Sequence, residues 1–165
     1  MLFRSEVLDQ YNKPEWRTID IQVAPGISAM QAAAARIGAP LGHDFCVISL
    51  SDILKPWEII AQRITTAAVS DFVIAFYNPV SKKRIWQLEA AKKILLAHRK
   101  PHTPVVLGRN LGRKGEEVKV ITLEELEPTL ADMGTVIIIG SSHTQQIQQD
   151  NNVWVYTSRR YNFEE

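Results

Sequence analysis

The sequence predicts an α/β protein in which strands alternate with helices around a largely parallel sheet. Three observations carry this reading. Short apolar runs such as DFVIAFY and TVIIIG have the length of strands, the segments between them repeat apolar residues at helical spacing, and proline or glycine marks many of the junctions. At 165 residues with 45% hydrophobic content, the chain is expected to bury about two thirds of its unfolded surface, enough for one ordinary domain or two small lobes.

Each element has its own signal. Ser5 to Lys13 reads as a short helix closed by Asn12 and Pro14. Ile19, Ile21 and Val23 alternate as in a strand, Pro25-Gly26 turns the chain, and the alanine-rich run from Ser28 has strong helix propensity until Gly38 and Pro40 stop it. DFCVISLSD is a strand ending in polar residues. Pro56 opens an amphipathic helix with Trp57, Ile60, Ile64 and Ala68 on one face. DFVIAFYNP is a buried strand ended by Asn78-Pro79, and Ser81 is expected to cap a helix carrying Ile85, Leu88, Ala91, Ile94 and Leu95. Strands follow at 104 to 108 and 117 to 121. Thr122 and Glu125 have capping-box spacing ahead of a helix near 123 to 131, and TVIIIG at 135 to 140 and VWVYT near the C-terminus are the last strands. The polar turn and proline of LSDILKP, 50 to 56, suggest a division into residues 1–52 and 53–165.

Composition removes several functions. The 19 basic and 18 acidic side chains leave a net charge of +1, too little for a general field that attracts nucleic acid or an anionic membrane. The apolar runs are far shorter than the roughly 20 residues of a membrane-spanning helix. With one cysteine, Cys46, the chain has no internal disulfide, and the absence of a signal peptide points to the cytoplasm. No metal site is expected: Cys46 sits in an apolar strand, His43 precedes it, and His98 and His102 sit at a helix end, where the dipole favours imidazole. His143 is the histidine with a credible ligand-facing role.

Ligands on parallel sheets bind at the carboxyl ends of strands. That rule selects the loops APGIS (24 to 28), FYNPVSKKR (76 to 84), LGRNLGR (107 to 113) and GSSHT (140 to 144), each of which mixes small residues with polar or basic ones. Gly108, Gly112 and Gly115 match no phosphate-cradle motif, and a strand rather than a helix follows them, so this segment reads as a strand-to-strand loop with a basic tip. The Lys82-Lys83-Arg84 run is either a solvated helix start or, because cations there oppose the helix dipole, the site of a bound anion.

Four stretches taken together carry a resemblance. VAPGISAMQAAAARIGAPLGHDFCVISLSD, FYNPVSKKR, TPVVLGRNLGRKGEEV and VIIIGSSHT closely resemble, in this order, members of the tetrapyrrole methylase family, over about Val23 to Tyr161. The resemblance implies a two-lobed α/β enzyme, usually a homodimer, in which S-adenosylmethionine and a macrocyclic substrate meet in the cleft between lobes. It implies methylation of a precorrin at C17 with ring contraction in cobalamin synthesis. The family's glycine-rich GxGPG and GGDPG-like loops do not occur in these 165 residues, so the first lobe is expected to be incomplete. A noncatalytic remnant that dimerises or binds a tetrapyrrole is the alternative. TSRRYNF stands where the family has TPRGY, and His143 and Gln146 stand where glutamine and arginine are usual.

Carried onto this sequence, the resemblance assigns cofactor binding to Ile27, Ser28, Ala29, Tyr77, Asn78, Gly108, Arg109 and Ser141. Lys82, Arg84, Arg109, Arg113 and His143 are the candidates for substrate carboxylates, which guanidinium and ammonium groups bind by charge-assisted hydrogen bonds. No residue is assigned as catalytic acid or base.

Overall fold

The computed structural model describes residues 4–150 and 152–160; Tyr161, Asn162 and Phe163 of TSRRYNF lie outside them. Helix α1 (Arg4–Tyr11) and a 3-10 turn (Pro14–Thr18) precede α2 (Ala29–Ile37), β1 (Gly38–Ala39), β2 (Phe45–Ser49), α3 (Trp57–Val69), β3 (Val73–Tyr77) and α4 (Trp86–Leu96). Then follow β4 (Pro104–Arg109), β5 (Glu117–Thr122), a 3-10 turn (Pro128–Leu130), β6 (Thr135–Ile139), β7 (Thr144–Gln149) and β8 (Asn152–Thr157). No helix among the described residues is long and apolar enough to cross a membrane.

The main sheet has the order β2-β3-β6-β4-β5 and is mixed rather than largely parallel. β2 pairs parallel with β3, whereas β6 is antiparallel to both β3 and β4, and β5 is antiparallel to β4. The loop between β4 and β5 is too short for the crossover a parallel pair requires, so those strands form a hairpin, as the basic-tipped loop suggested. Strands β2, β3 and β4 therefore run one way, and β5 and β6 the other. A second, smaller sheet has the order β1-β8-β7.

The two faces of the main sheet are covered differently. Ile60, Ile64 and Ala68 of α3 and Leu88, Ala91 and Leu95 of α4 pack on Ile74, Phe76, Val105, Leu107, Ile137 and Ile139. On the other face, Ala33 and Ile37 of α2 meet Val73, Val106, Val136, Ile138 and Val155. Alternation along each strand sends successive side chains to opposite faces, which divides the apolar residues into these two cores.

Several elements differ from the sequence expectation. Ile19, Ile21 and Val23 form no strand and are at least half exposed, with Val23 at 90%. Their alternation suits a half-buried strand, but no described strand lies beside them to complete a ladder. The expected helix near 123–131 is a turn and a single 3-10 turn: Thr122 N–H and hydroxyl both donate to Glu125 Oε2 at 2.8 Å, yet Pro128 removes a donor and restricts the residue before it. Ser81 is not a helix cap. It exchanges backbone hydrogen bonds with Arg84 at 2.9 and 3.1 Å, so Lys82-Lys83 form the tip of a tight turn and α4 starts only at Trp86, leaving Ile85 exposed. The expected division at 52/53 falls inside the β2-α3-β3 unit, because β2 before it and β3 after it are neighbours in one sheet. The polar turn and proline there mark the start of α3.

Candidate functional site

At one edge of the main sheet β3 and β4 end and β6 begins. The chain brings α2 to the same edge. Ser28 caps α2 with a complete capping box: its side chain accepts from Gln31 N–H, and the Gln31 side chain accepts from Ser28 N–H at 2.9 Å. The next free helix donor, Met30 N–H, donates to the Tyr77 hydroxyl at 3.0 Å, which ties the helix start to the end of β3. Gly108 lets α2 lie close to β4, since a Cβ there would stand 3.0 Å from both Ala33 Cβ and Leu111 Cδ1.

Between these parts is a cleft of about 330 Å³, at the small end of the roughly 300–1,000 Å³ range of ligand pockets. Its walls are Ile27, Ser28, Ala29 and Ala32 from α2 and its approach, Asn110, Leu111 and Arg113 from the β4-β5 loop, and Met133-Gly134 before β6. Asn110 has φ +49°, which bends the chain sharply out of β4. Gly134 leaves room for it: a Cβ at 134 would stand 2.7 Å from Asn110 Oδ1.

The structure thus brings Ile27, Ser28, Ala29 and Arg113 together, with Tyr77 and Gly108 supporting the cleft from beneath. Asn78, at φ +51°, donates to Ser49 Oγ at 3.0 Å, and its carbonyl accepts from Arg84 at 3.3 Å. Arg84 is 8% exposed, and its guanidinium also lies 3.8 Å from the Met133 sulfur, behind the cleft wall rather than at its mouth. Lys82 sits at the exposed tip of the Ser81–Arg84 turn.

Three expected site residues lie elsewhere. Arg109 faces the opposite side of the sheet from Gly108, as strand alternation requires, and its Nε donates to Asp132 Oδ2 at 2.8 Å. Burial pushes the Asp132 carboxyl up, but hydrogen bonds from Arg109, Thr135 and Gly134 outweigh it and hold the group below its ordinary range. Ser141 and His143 follow β6, which runs against β3 and β4, so they stand at the far edge of the sheet. Asn110 and Leu111 lie in the LGRNLGR loop that the sequence singled out but were not named as site residues, and Ala32, Met133 and Gly134 lie outside the selected loops. The signal for the last two was the direction of β6: in an antiparallel strand the residues before it, not after it, share an edge with the ends of its neighbours.

The β4-β5 loop is clamped to α2. Arg36 Nε donates to Glu116 Oε1 at 2.5 Å, and Gly112 N–H donates to Glu116 Oε2 at 2.5 Å. The Arg36 hydrogen bond, followed by that from Gly112, holds the Glu116 carboxyl below the usual carboxylate range. A depressed folded-state value means that the contribution is present above the ordinary glutamate range and is lost as pH falls through the folded-state value. In a carboxyl-detected NMR titration Glu116 should titrate below an ordinary glutamate, and Arg36→Ala should move its midpoint up; an unmoved midpoint would contradict the clamp.

The chain matches the model of the Tetrapyrrole (Corrin/Porphyrin) Methylases over residues 5–127, which includes α2, Tyr77 and the Asn110–Arg113 loop. The chain belongs to the tetrapyrrole methylase family. It is 50% identical over 148 residues to a precorrin-3B C(17)-methyltransferase of Sinorhizobium sp, covering 89% of this chain and 58% of that protein. It is 44% identical over 126 residues to a probable cobalt-factor III C(17)-methyltransferase of Salmonella typhimurium, covering 76% and 52%. The crystal structure of the methyltransferase CobJ superposes with a TM-score of 0.85 at 42% identity, over 93% of this chain and 62% of that one. This tetrapyrrole methylase chain therefore spans little more than half the length of these relatives.

Proposed function

We propose that this chain carries the cleft wall of an S-adenosylmethionine-dependent methyltransferase that methylates a precorrin at C17 with ring contraction, in cobalamin biosynthesis. The observation that carries this reading is the 50% identity to the Sinorhizobium enzyme. The cleft agrees with it in its chemistry. Ile27, Ala29, Ala32, Leu111 and Met133 offer an apolar slot for a planar group, and the Asn110 side chain offers a polar edge. When bound, S-adenosylmethionine supplies an activated methyl group on its sulfonium. The protein's share is positioning: α2 is pinned by Tyr77, the loop is pinned by Glu116, and the two fix the slot width. Arg113 at the cleft presents a guanidinium to carboxylates of the macrocycle. Lys82 and Arg84 are secondary contributors, Arg84 by backing Met133 and Asn78.

We also propose a two-lobed cytoplasmic homodimer. Two features favour a partner surface: half-exposed Phe45 and Val47 on the unpaired edge strand β2, and the exposed Ile19, Ile21 and Val23. Sedimentation should show a dimer at micromolar concentration, and a monomer throughout would oppose this.

The functional reading is tested in the chain joined to the part of the Sinorhizobium relative that the match leaves uncovered. That protein should transfer labelled methyl from S-adenosylmethionine to the precorrin. Arg113→Ala should weaken tetrapyrrole binding by roughly 1–3 kcal/mol, the range for a charged hydrogen bond. Arg109→Ala should leave binding unchanged, because Arg109 is paired with Asp132 on the other face. Absent methyl transfer, or Arg113→Ala binding like the parent, would contradict the assignment.

A further inference from the structure

We propose that the cleft continues past Met133 onto the paired starts of α3 and α4, and that this face carries the rim of a flat macrocycle bearing several carboxylates. The inference rests on the methyltransferase reading and extends its substrate contacts. The two helix starts are neighbours: the Trp57 and Trp86 rings meet edge to face with centroids 4.9 Å apart, and Gln87 donates to Asp52 Oδ2 at 2.9 Å. The loop from Asp52 to Trp57 is thereby held beside the start of α4. Ile53, Leu54, Ile85 and Trp86 are each more than half exposed. A group of this kind marks an interaction surface, unlike the single exposed apolar residues of an ordinary surface.

The charges around this group favour an anion. α2 has its capping box, but neither Pro56 before α3 nor Ile85 before α4 supplies a side-chain cap, so two uncapped N-termini stand side by side. Lys55 precedes one of them, and Lys82 and Lys83 precede the other. Cations at helix starts oppose the dipole, so helix chemistry does not account for these lysines. Burial, and after it the Arg63 cation, pull the Lys55 ammonium below its ordinary value. Arg84 joins this face to the cleft. It is 8% exposed, its guanidinium donates to the Asn78 carbonyl and lies against the sulfur of Met133, a cleft residue, and no ion pair among the described residues includes it. A buried guanidinium held by a carbonyl and a thioether lacks the acid that such a charge ordinarily has. Asp52 is engaged by Gln87, and Glu58 and Glu89 lie in first turns, where the dipole favours them. A polycarboxylate disc matches the whole arrangement, with its ring on Ile85 and Trp86 and its acids toward the lysines and the helix starts.

The test is fluorine NMR of the whole chain labelled with fluorotryptophan, titrated with uroporphyrin III, a polycarboxylate, and in a second arm with a tetracationic porphyrin of the same ring. The porphyrin ring current reports contact directly. Trp86, assigned through Trp86→Phe, should shift saturably with uroporphyrin, while Trp154 of the small sheet stays still. The cationic porphyrin should leave Trp86 unmoved, and Lys83→Glu, at an exposed turn tip, should raise the uroporphyrin midpoint by about fivefold or more. No uroporphyrin binding, a still Trp86 while uroporphyrin binds elsewhere, or an equal response to the cationic porphyrin would overturn the proposal. A Trp86 signal that moves with protein concentration before any porphyrin is added would overturn it too, by giving the face to a second copy. This readout needs neither cofactor nor turnover, so it is separate from methyl transfer in the joined protein, whose absence would oppose the methyltransferase reading instead.

Discussion

Gly38→Ala should destabilise the protein by about 3 kcal/mol, the sum of left-handed backbone strain and a steric contact each costing roughly 1–3 kcal/mol. Gly38 has φ +125°, and a Cβ there would stand 2.7 Å from the Val155 carbonyl oxygen. That oxygen is backbone, so it cannot swing aside. Gly38 also ends α2 by donating to the Ala34 carbonyl and pairs in β1 with Val155 of β8, so the substitution strains the helix end and the small sheet together. For a chain of this length each kcal/mol lowers the melting temperature by about 2–4 °C, giving a drop of roughly 6–12 °C. Gly26→Ala is the control: nothing lies within 4 Å of its Cβ position, and its melting temperature should change little. Equal melting temperatures for the two variants would contradict the packing described for α2 and β8.

Gly38 was legible in the sequence as the stop of an alanine-rich helix and Ser28 as its start, because both depend on residues within one turn, whereas the capping box at Ser28 came from the structure. The apolar faces of α3 and α4 were legible for the same reason. Strand direction is a different kind of fact. TVIIIG reads as a buried strand whichever way it runs, and only the ladders of β6 with β3 and β4 decide that Met133-Gly134, not Ser141 and His143, share an edge with Tyr77 and Gly108. The same gap explains Arg109, whose side chain leaves the face of the strand that Gly108 turns to α2 and pairs with Asp132. TQQIQQ escaped as a strand because its glutamines have no apolar alternation; pairing with β8 makes it one. Ile19 to Val23 shows the converse, a strand pattern with no neighbour to pair with among the described residues.

Ala32→Trp should weaken binding at the cleft strongly while sparing the fold. Ala32 lines the cavity from α2 beside Ile27 and Ala29, whereas its neighbour Ala33 is fully buried in the core. An indole at 32 therefore projects into the open slot rather than into the sheet, where overpacking costs stability. Binding of S-adenosylhomocysteine should fall by at least about tenfold, corresponding to some 1.4 kcal/mol, with the circular dichroism spectrum unchanged. The same substitution at Ala33 should unfold or strongly destabilise the chain. If Ala32→Trp binds as the parent does, the ligand occupies another place.

Met133 and the start of α2 line the same cleft, and Met133 itself can report on a ligand there. Methyl-labelled methionine gives Met133 and Met30 separate NMR signals, one in the cleft wall and one at the start of α2. In a titration to about 1 mM S-adenosylhomocysteine, enough to populate even weak binding, the Met133 methyl should shift saturably in the parent and stay still in Ala32→Trp. A Met133 signal that does not move in the parent while ligand binds elsewhere on the chain would contradict binding at this cleft.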